Sequence, residues 1–225
     1  MRVLAIVHEE DAGPGVFAEA VRVRGAELHT WMIRRDEPPA RDPRDYDAVM
    51  TFGGAMNPDD EAEHPWLAEE KALLADVLAS GVPLLGVCLG AELVAEAAGA
   101  PARRMGESEI GWYQVDTAVE ADPLLGPLPA RFDALEWHSY ETPLPPGAVA
   151  LARSERCLQA FRVGNCAWGI QFHAEVTGES FESWLETSAD APADAEALRA
   201  VTRERIAAWN DLGRGLCGRF LHAVG

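Results

Sequence analysis

Positive charge is scarce in this chain. Its 19 Lys and Arg face 37 Asp and Glu, a net charge of −18 over 225 residues. So acidic a surface repels phosphate backbones and anionic lipid, which argues against nucleic acid and membrane surfaces as partners. The plain reading of the surplus is a solubilising surface. Cysteine is also sparse. Cys88, Cys157, Cys166 and Cys217 show no CxxC spacing, so neither a zinc site nor a disulfide framework is expected, and no cofactor is implied. No apolar run approaches the ~20 residues that span a bilayer. The run Met1–Val7 is short, and His8-Glu9-Glu10-Asp11 follows at once. That reads as a buried first strand rather than a signal peptide, and the expected location is the cytoplasm. Internal repeats, low-complexity segments and a P-loop are all missing.

What remains is an ordinary folding composition, with 48% hydrophobic and 25% charged residues, enough chain for one full core. The first hundred residues alternate strand and helix. Arg2–Val7 reads as a strand, Val16–Arg24 as a helix ending at Gly25, Glu27–Ile33 and Ala48–Phe52 as strands. A helix follows from Pro65-Trp66 to Ala79, with Gly81 as its C-terminal cap. Val82–Val87 is the next strand, and a helix from about Ala91 runs to Gly99. This alternation predicts an α/β fold with a mostly parallel sheet flanked by helices. The later chain reads as a small antiparallel addition, with strands at Glu109–Val119, Arg131–Trp137, Val149–Ala152, Cys157–Arg162 and Ala167–Phe172. Gly178–Thr187 reads as a helix. The expected division is a domain over residues 1–187, then a linker and C-terminal helix over 188–225, packed on the same domain or on a partner. That helix, Glu196–Ala223, repeats apolar residues at three- to four-residue steps, and Gly213, Gly215 and Gly218 weaken it.

Gly86-Val87-Cys88-Leu89-Gly90 is the most informative stretch. A buried strand ends, one reactive side chain follows, and a helix begins. Glycines flank the cysteine at two residues on either side, as a nucleophile elbow requires. At a helix N-terminus the dipole favours thiolate. A lone cysteine is more often a small buried hydrophobe; the glycine frame and the strand-to-helix switch reverse that preference. Cys157, Cys166 and Cys217 lack such a frame and read as packing residues.

A thiolate needs an imidazole to carry protons and a third group to hold the ring. His173 follows the apolar run Gly169–Phe172, and Glu175 stands two residues on. The carboxylate can fold back onto the ring. Alone, the pair reads as a surface turn; joined to the elbow, it makes a triad of Cys88, His173 and Glu175. His8, at the end of the first strand, is a lesser candidate under the rule that ligands bind beyond the carboxyl ends of parallel strands.

These motifs resemble the class I (triad) glutamine amidotransferases, specifically the stand-alone proteins similar to the amidotransferase domain of GMP synthase. Gly86–Gly90 matches the G-x-C-x-G motif. Gln171-Phe172-His173-Ala174-Glu175 matches the Phe-His-Pro-Glu segment, and Phe52-Gly53-Gly54-Ala55-Met56 the glycine-rich oxyanion loop. Trp209–Arg214 also looks like this subgroup. The resemblance implies a flavodoxin-like α/β fold. It implies a glutaminase-type cysteine hydrolase that forms a γ-glutamyl thioester on Cys88. His173 would protonate the leaving ammonia or amine, and Glu175 would orient it. Backbone N–H groups of Gly54 and Leu89 would hold the oxyanion. Ala55, Met56, Glu92, His138, Ser139 and Tyr140 would bind substrate, which would be glutamine or a γ-glutamyl small molecule. Ammonia would pass to a separate synthetase subunit, or the enzyme would be simply a hydrolase. No metal is implied.

The chain departs from the family at three places. Glu92 stands where the family usually has glutamine, and an ionised carboxylate only accepts hydrogen bonds. Ala55 and Ala174 replace prolines that pre-set the backbone. Three readings follow: glutamine amide hydrolysis, γ-glutamyl peptidase action on peptide-like conjugates, or a non-catalytic binding module.

Overall fold

Short, wholly apolar runs make the centre of the sheet. The computed structural model describes residues 1–118 and 122–223. Strands β1 (Arg2–Val7), β2 (Glu27–Met32), β3 (Ala48–Thr51), β4 (Leu84–Val87), β5 (Arg103–Thr117), β6 (Arg131–Glu141), β7 (Val149–Arg153), β8 (Leu158–Val163) and β9 (Ala167–Ile170) form one sheet among the described residues. Its order is β2-β1-β3-β4-β9-β8-β7-β5-β6. The first five pair in parallel and the others antiparallel. The α/β class is as expected, but the antiparallel addition is nearly half of the sheet.

Helices α1 (Gly15–Val23), α2 (Trp66–Ser80), α3 (Leu89–Ala97), α4 (Gly178–Thr187) and α5 (Ala195–Ala223) cover it. Residues alternate across a strand, and β1 shows the consequence. Val3, Ala5 and Val7 enter one core with Phe17 of α1, Phe181 of α4 and Phe220 of α5. Leu4 and Ile6 enter the other with Leu67 of α2 and Leu93 of α3. Helix α2 stops at Gly81, whose φ of 74° supplies the left-handed cap.

Most element ends fall within two residues of the sequence expectation, and three differences bear on the site. Strand β5 begins at Arg103, not Glu109; its early residues are polar and mostly exposed, and its register against β6 shifts between Arg104 and Glu109. The predicted end of that strand at residue 119 lies outside the described residues. Strand β6 continues past Trp137 to Glu141, so His138, Ser139 and Tyr140 are strand residues. Helix α3 starts at Leu89, directly after Cys88.

Helix α5 lies along α1 and α4 of its own chain. It holds the segment after β9 in place. Trp209 Nε1 donates to the His173 carbonyl at 2.8 Å, and Asn210 Nδ2 to that of Val176 at 2.7 Å. A Cβ on Gly213 would stand 1.9 Å from the Ala174 carbonyl oxygen. The glycine expected to weaken the helix is therefore where it presses hardest on its neighbour.

Candidate active site

Strands β1, β3, β4 and β9 all point their carboxyl ends at one cavity of about 610 Å³, a size suited to a small molecule. Cys88 stands at its floor, between β4 and α3. Its φ of 53° makes it the only non-glycine residue with positive φ among those described. Such strain persists where the surroundings over-determine it. Here they do. Cys88 N donates to the Ile170 carbonyl, and Gly90 N to that of Phe52, both at 2.9 Å. A Cβ on Gly86 would lie 2.5 Å from the Gly90 oxygen, and one on Gly90 would lie 2.2 Å from the Thr51 oxygen. The two glycines thus let the elbow close on itself and on β3.

His173 faces the elbow from the end of β9. Its Nδ1 donates to Glu175 Oε1 at 2.8 Å; a carboxylate can only accept, so this bond fixes the tautomer. The other ring nitrogen makes no hydrogen bond among the described residues, and the ring shares the cavity with Cys88. His173 Cε1 and Cys88 Cβ lie 3.2 and 3.7 Å from the point where Gly53 would carry a Cβ. The ring is buried, which disfavours its charge, but Cys88 and Glu175 outweigh burial and raise its pKa well above the usual value. The Trp184 ring stands edge-on at 4.7 Å.

Gly54 and Leu89 line the same cavity. Leu89 opens α3, so its N–H has no intrahelical partner, and neither amide donates to another group among the described residues. Both are free for an incoming oxygen. Beneath the glycine loop lies an arrangement that the sequence does not suggest. His8 Nδ1 bonds the Gly53 carbonyl at 2.9 Å, and Nε2 lies 2.8 Å from Glu70 Oε2. Thr51 donates to the other Glu70 oxygen at 2.6 Å. His8 and Glu70 are fully buried, so His8 props the loop rather than meeting the cavity. In the sequence, Glu70 is one acid among several on α2.

The other candidates separate. Glu92 lines the cavity beside Cys88 and accepts from Gln171 Nε2 at 3.0 Å. Burial raises its pKa to about 6 against that bond. Ala55 lines the cavity, but its N–H donates to Glu9 Oε2 at 3.0 Å. Met56 and Ser139 are lining residues, and Tyr140 is held by its hydroxyl's bond to Asp59 at 2.8 Å. Trp137 packs against Phe181 and Trp184, and its carbonyl lies 3.7 Å from the Cys88 sulfur. His138 touches the cavity but turns its ring away. Nδ1 donates to the Tyr140 carbonyl at 2.8 Å, and Nε2 lies 3.1 Å from Glu109 Oε2. Cys157, expected to be a packing residue, stands in that same buried cluster with Glu109 and His138. Five acids, Glu9, Glu10, Asp11, Glu92 and Asp190, line the cavity with three basic side chains, Arg34, His138 and His173.

Fold and motif together can be set against known proteins. A family model described as glutamine amidotransferase class-I matches residues 15–189. The glutamine amidotransferase-like protein YfeJ of Salmonella typhimurium is 31% identical over 220 residues, covering 93% of this chain and 91% of that protein. One subunit of the glutamine-hydrolysing GMP synthase of Methanoculleus marisnigri is 31% identical over 158 residues, covering 69% and 79%. The crystal structure of a glutamine amidotransferase from Thermotoga maritima superposes with a TM-score of 0.89 at 29% identity over 98% of each chain. The chain belongs to the class I glutamine amidotransferase family. No helix among the described residues is long and apolar enough to cross a membrane.

Proposed function

We propose that the protein hydrolyses the side-chain amide of glutamine, or a related γ-glutamyl amide, through a thioester on Cys88. The observation that carries this is the strained Cys88 elbow sharing one cavity with the buried, hydrogen-bonded His173–Glu175 pair. The Cys88 thiolate attacks the γ-carbonyl carbon. The electron pair of the C=O bond moves onto oxygen, which the N–H groups of Gly54 and Leu89 receive. Imidazolium His173 gives its proton to the nitrogen, and ammonia or an amine departs as the C–N bond breaks. Water then loses a proton to His173 and attacks the thioester, releasing glutamate and the thiolate. Glu175 keeps the ring in the tautomer both steps need.

The acidic lining favours one form of this reading. A γ-glutamyl conjugate carrying a cationic amine meets Glu92 and its neighbours better than neutral glutamine does. Such a hydrolase needs no partner. In the glutamine form, ammonia goes to a separate synthetase, and the subunit status of the Methanoculleus relative supports that. Intact-mass measurement after exposure to a γ-glutamyl electrophile tests the chemistry. One adduct is expected on the wild type and none on Cys88→Ala; labelling that survives the substitution removes the assignment. A panel of γ-glutamyl amides, charged and neutral, then separates the two forms. A preference for free glutamine would reject the conjugate form.

A further inference from the structure

A second buried histidine has more carboxylate around it than its protons can serve. Glu109 of β5 pairs with His138 of β6 across the register shift, and Glu136 stands two residues before His138, on the same face. Glu109, Glu136, His138 and Cys157 are all buried. The His138 ring has one hydrogen committed to the Tyr140 carbonyl. Its Nε2 faces two carboxylates, Glu109 Oε2 at 3.1 Å and Glu136 Oε2 at 3.3 Å, and at most one hydrogen can be aimed there. Neither Glu136 oxygen has a hydrogen-bond partner, and Gln159 Oε1 beside them has none either. Buried polar atoms left unpaired are rare and ask for a ligand. Cys157 Sγ lies 3.4 Å from Glu109 Oε2, and one donor atom from each of Glu109, His138 and Cys157 falls within 4.8 Å of the others.

We infer that Glu109, His138 and Cys157 form a site for a divalent transition ion of the zinc class, with the Glu136 carboxylate supplying the remaining charge.

The spacing is compatible. Donors bound at ~2.0–2.3 Å on a tetrahedron stand roughly 3.3–3.8 Å apart; Nε2 lies 3.1 and 3.3 Å from the two carboxylates and Sγ 3.4 Å from Glu109, with the imidazole, thiol and Glu109 donors all within 4.8 Å of one another. The donor set of sulfur, imidazole nitrogen and carboxylate suits zinc better than magnesium or calcium. His138 shows the support that ligating histidines have, the distal N–H given to a backbone carbonyl. A dication also answers the charge problem, since two buried carboxylates beside one imidazole lack a full set of counter-charges. Binding releases the Cys157 thiol proton, and any proton on Nε2, to solvent. A cavity of about 680 Å³, separate from the one at Cys88, reaches Glu109 beside Ser154 and Arg156. The ion would tie β5 and β6 to the start of β8. That brace would hold Trp137 to Tyr140, which border the cavity at Cys88. No step of the proposed hydrolysis uses it.

Cobalt(II) is the probe. Chelator-treated protein titrated with Co²⁺ should develop sulfur-to-metal charge-transfer absorption and the intense visible bands of four-coordinate cobalt, and Zn²⁺ should displace both. Cys88→Ala and Cys166→Ser should keep the bands; Cys157→Ser should lose the charge-transfer band. Glu109→Gln retains the local hydrogen bonds and should weaken Co²⁺ affinity by at least about 100-fold, which keeps the test decisive should Cys157→Ser fail to fold. Wild-type protein with no thiolate band at saturating Co²⁺ overturns the site. A band that survives Cys157→Ser, or one lost in Cys88→Ala, overturns it as well, and leaves the hydrolase reading untouched.

Discussion

The two halves of the sheet reach the cavity by different means. The parallel strands end at it and deliver backbone: the Cys88 elbow, the Gly53–Gly54 loop and the free N–H groups of Gly54 and Leu89. The antiparallel strands pass beside it and deliver side chains, from Trp137 to Tyr140 on β6, backed by a buried polar cluster. A backbone-built half tolerates little, since its atoms have no rotamers to yield. A side-chain-built half can be re-specified residue by residue. The family's chemistry should therefore lie in the first half, and this chain's selectivity in the second and in Glu92.

That contrast breaks at once if the nucleophile is not in the parallel half. Cys88→Ala should lower turnover of any γ-glutamyl amide by at least about 10⁴-fold while leaving the melting temperature near that of the wild type, because removing the nucleophile removes the covalent route. Steady-state ammonia or amine release measures it. Residual activity within a hundredfold would put the chemistry elsewhere.

Backbone rigidity is tested by two glycines. Gly90→Ala pushes a Cβ to 2.2 Å from the Thr51 oxygen, and Gly213→Ala one to 1.9 Å from the Ala174 oxygen. Neither acceptor is a flexible tip, so each should cost about 3 kcal/mol, the upper end for overpacking. Urea denaturation measures that. Gly213→Ala should also lower kcat on the order of 10²-fold, since Ala174 lies between His173 and Glu175 and small displacements of catalytic groups are costly. A stability loss with kcat unchanged would show that α5 merely covers the His173 segment.

The same contrast explains what can be read from the sequence. The elbow, the glycine loop and the His173–Glu175 pair are local, because a sharp turn demands glycine at fixed offsets and a short run of chain shows it. Cys157 and Glu109 carry no such mark. They meet only because β5 pairs with β6 out of register and β8 returns alongside, a matter of topology that spacing does not encode. Glu70 and His8 are joined the same way, across the gap between β1 and α2. The first residues of β5 are polar and exposed, so no apolar alternation announces them. Gly213 reads as a defect because helix propensity is a local quantity and the Ala174 carbonyl is remote in sequence.

Glu92 sharpens the comparison through pH. Its folded pKa of about 6 stands above the ordinary 4.5, from burial, with Glu96 adding to the rise and Gln171, His138 and His173 opposing it. A raised acid binds its proton more tightly in the native state, so stability falls as pH climbs from about 4.5 to 6 and stays lower above that. Glu92→Gln should therefore gain up to about 2 kcal/mol at neutral pH and nothing below pH ~4.5. Chemical denaturation across pH 4 to 8 measures the difference, and a gain independent of pH would show that the carboxylate's charge is not its source. The same variant should lose selectivity for cationic conjugates over glutamine as pH rises above ~6, where the wild-type carboxylate is ionised.

The smallest effect belongs to a second glycine on the last helix, Gly218. Gly218 has open space where its Cβ would stand, and it lies just over one turn beyond the pressed Gly213. Gly218→Ala should stabilise the protein by about 0.5–1 kcal/mol, because alanine loses less backbone entropy on entering a helix and meets no neighbour. kcat should not move. The two substitutions add the same atom to the same helix, with opposite signs of stability. If both destabilise, α5 is strained along its whole length rather than fitted at one point, and its hold on His173 would have to come from Trp209 and Asn210 alone.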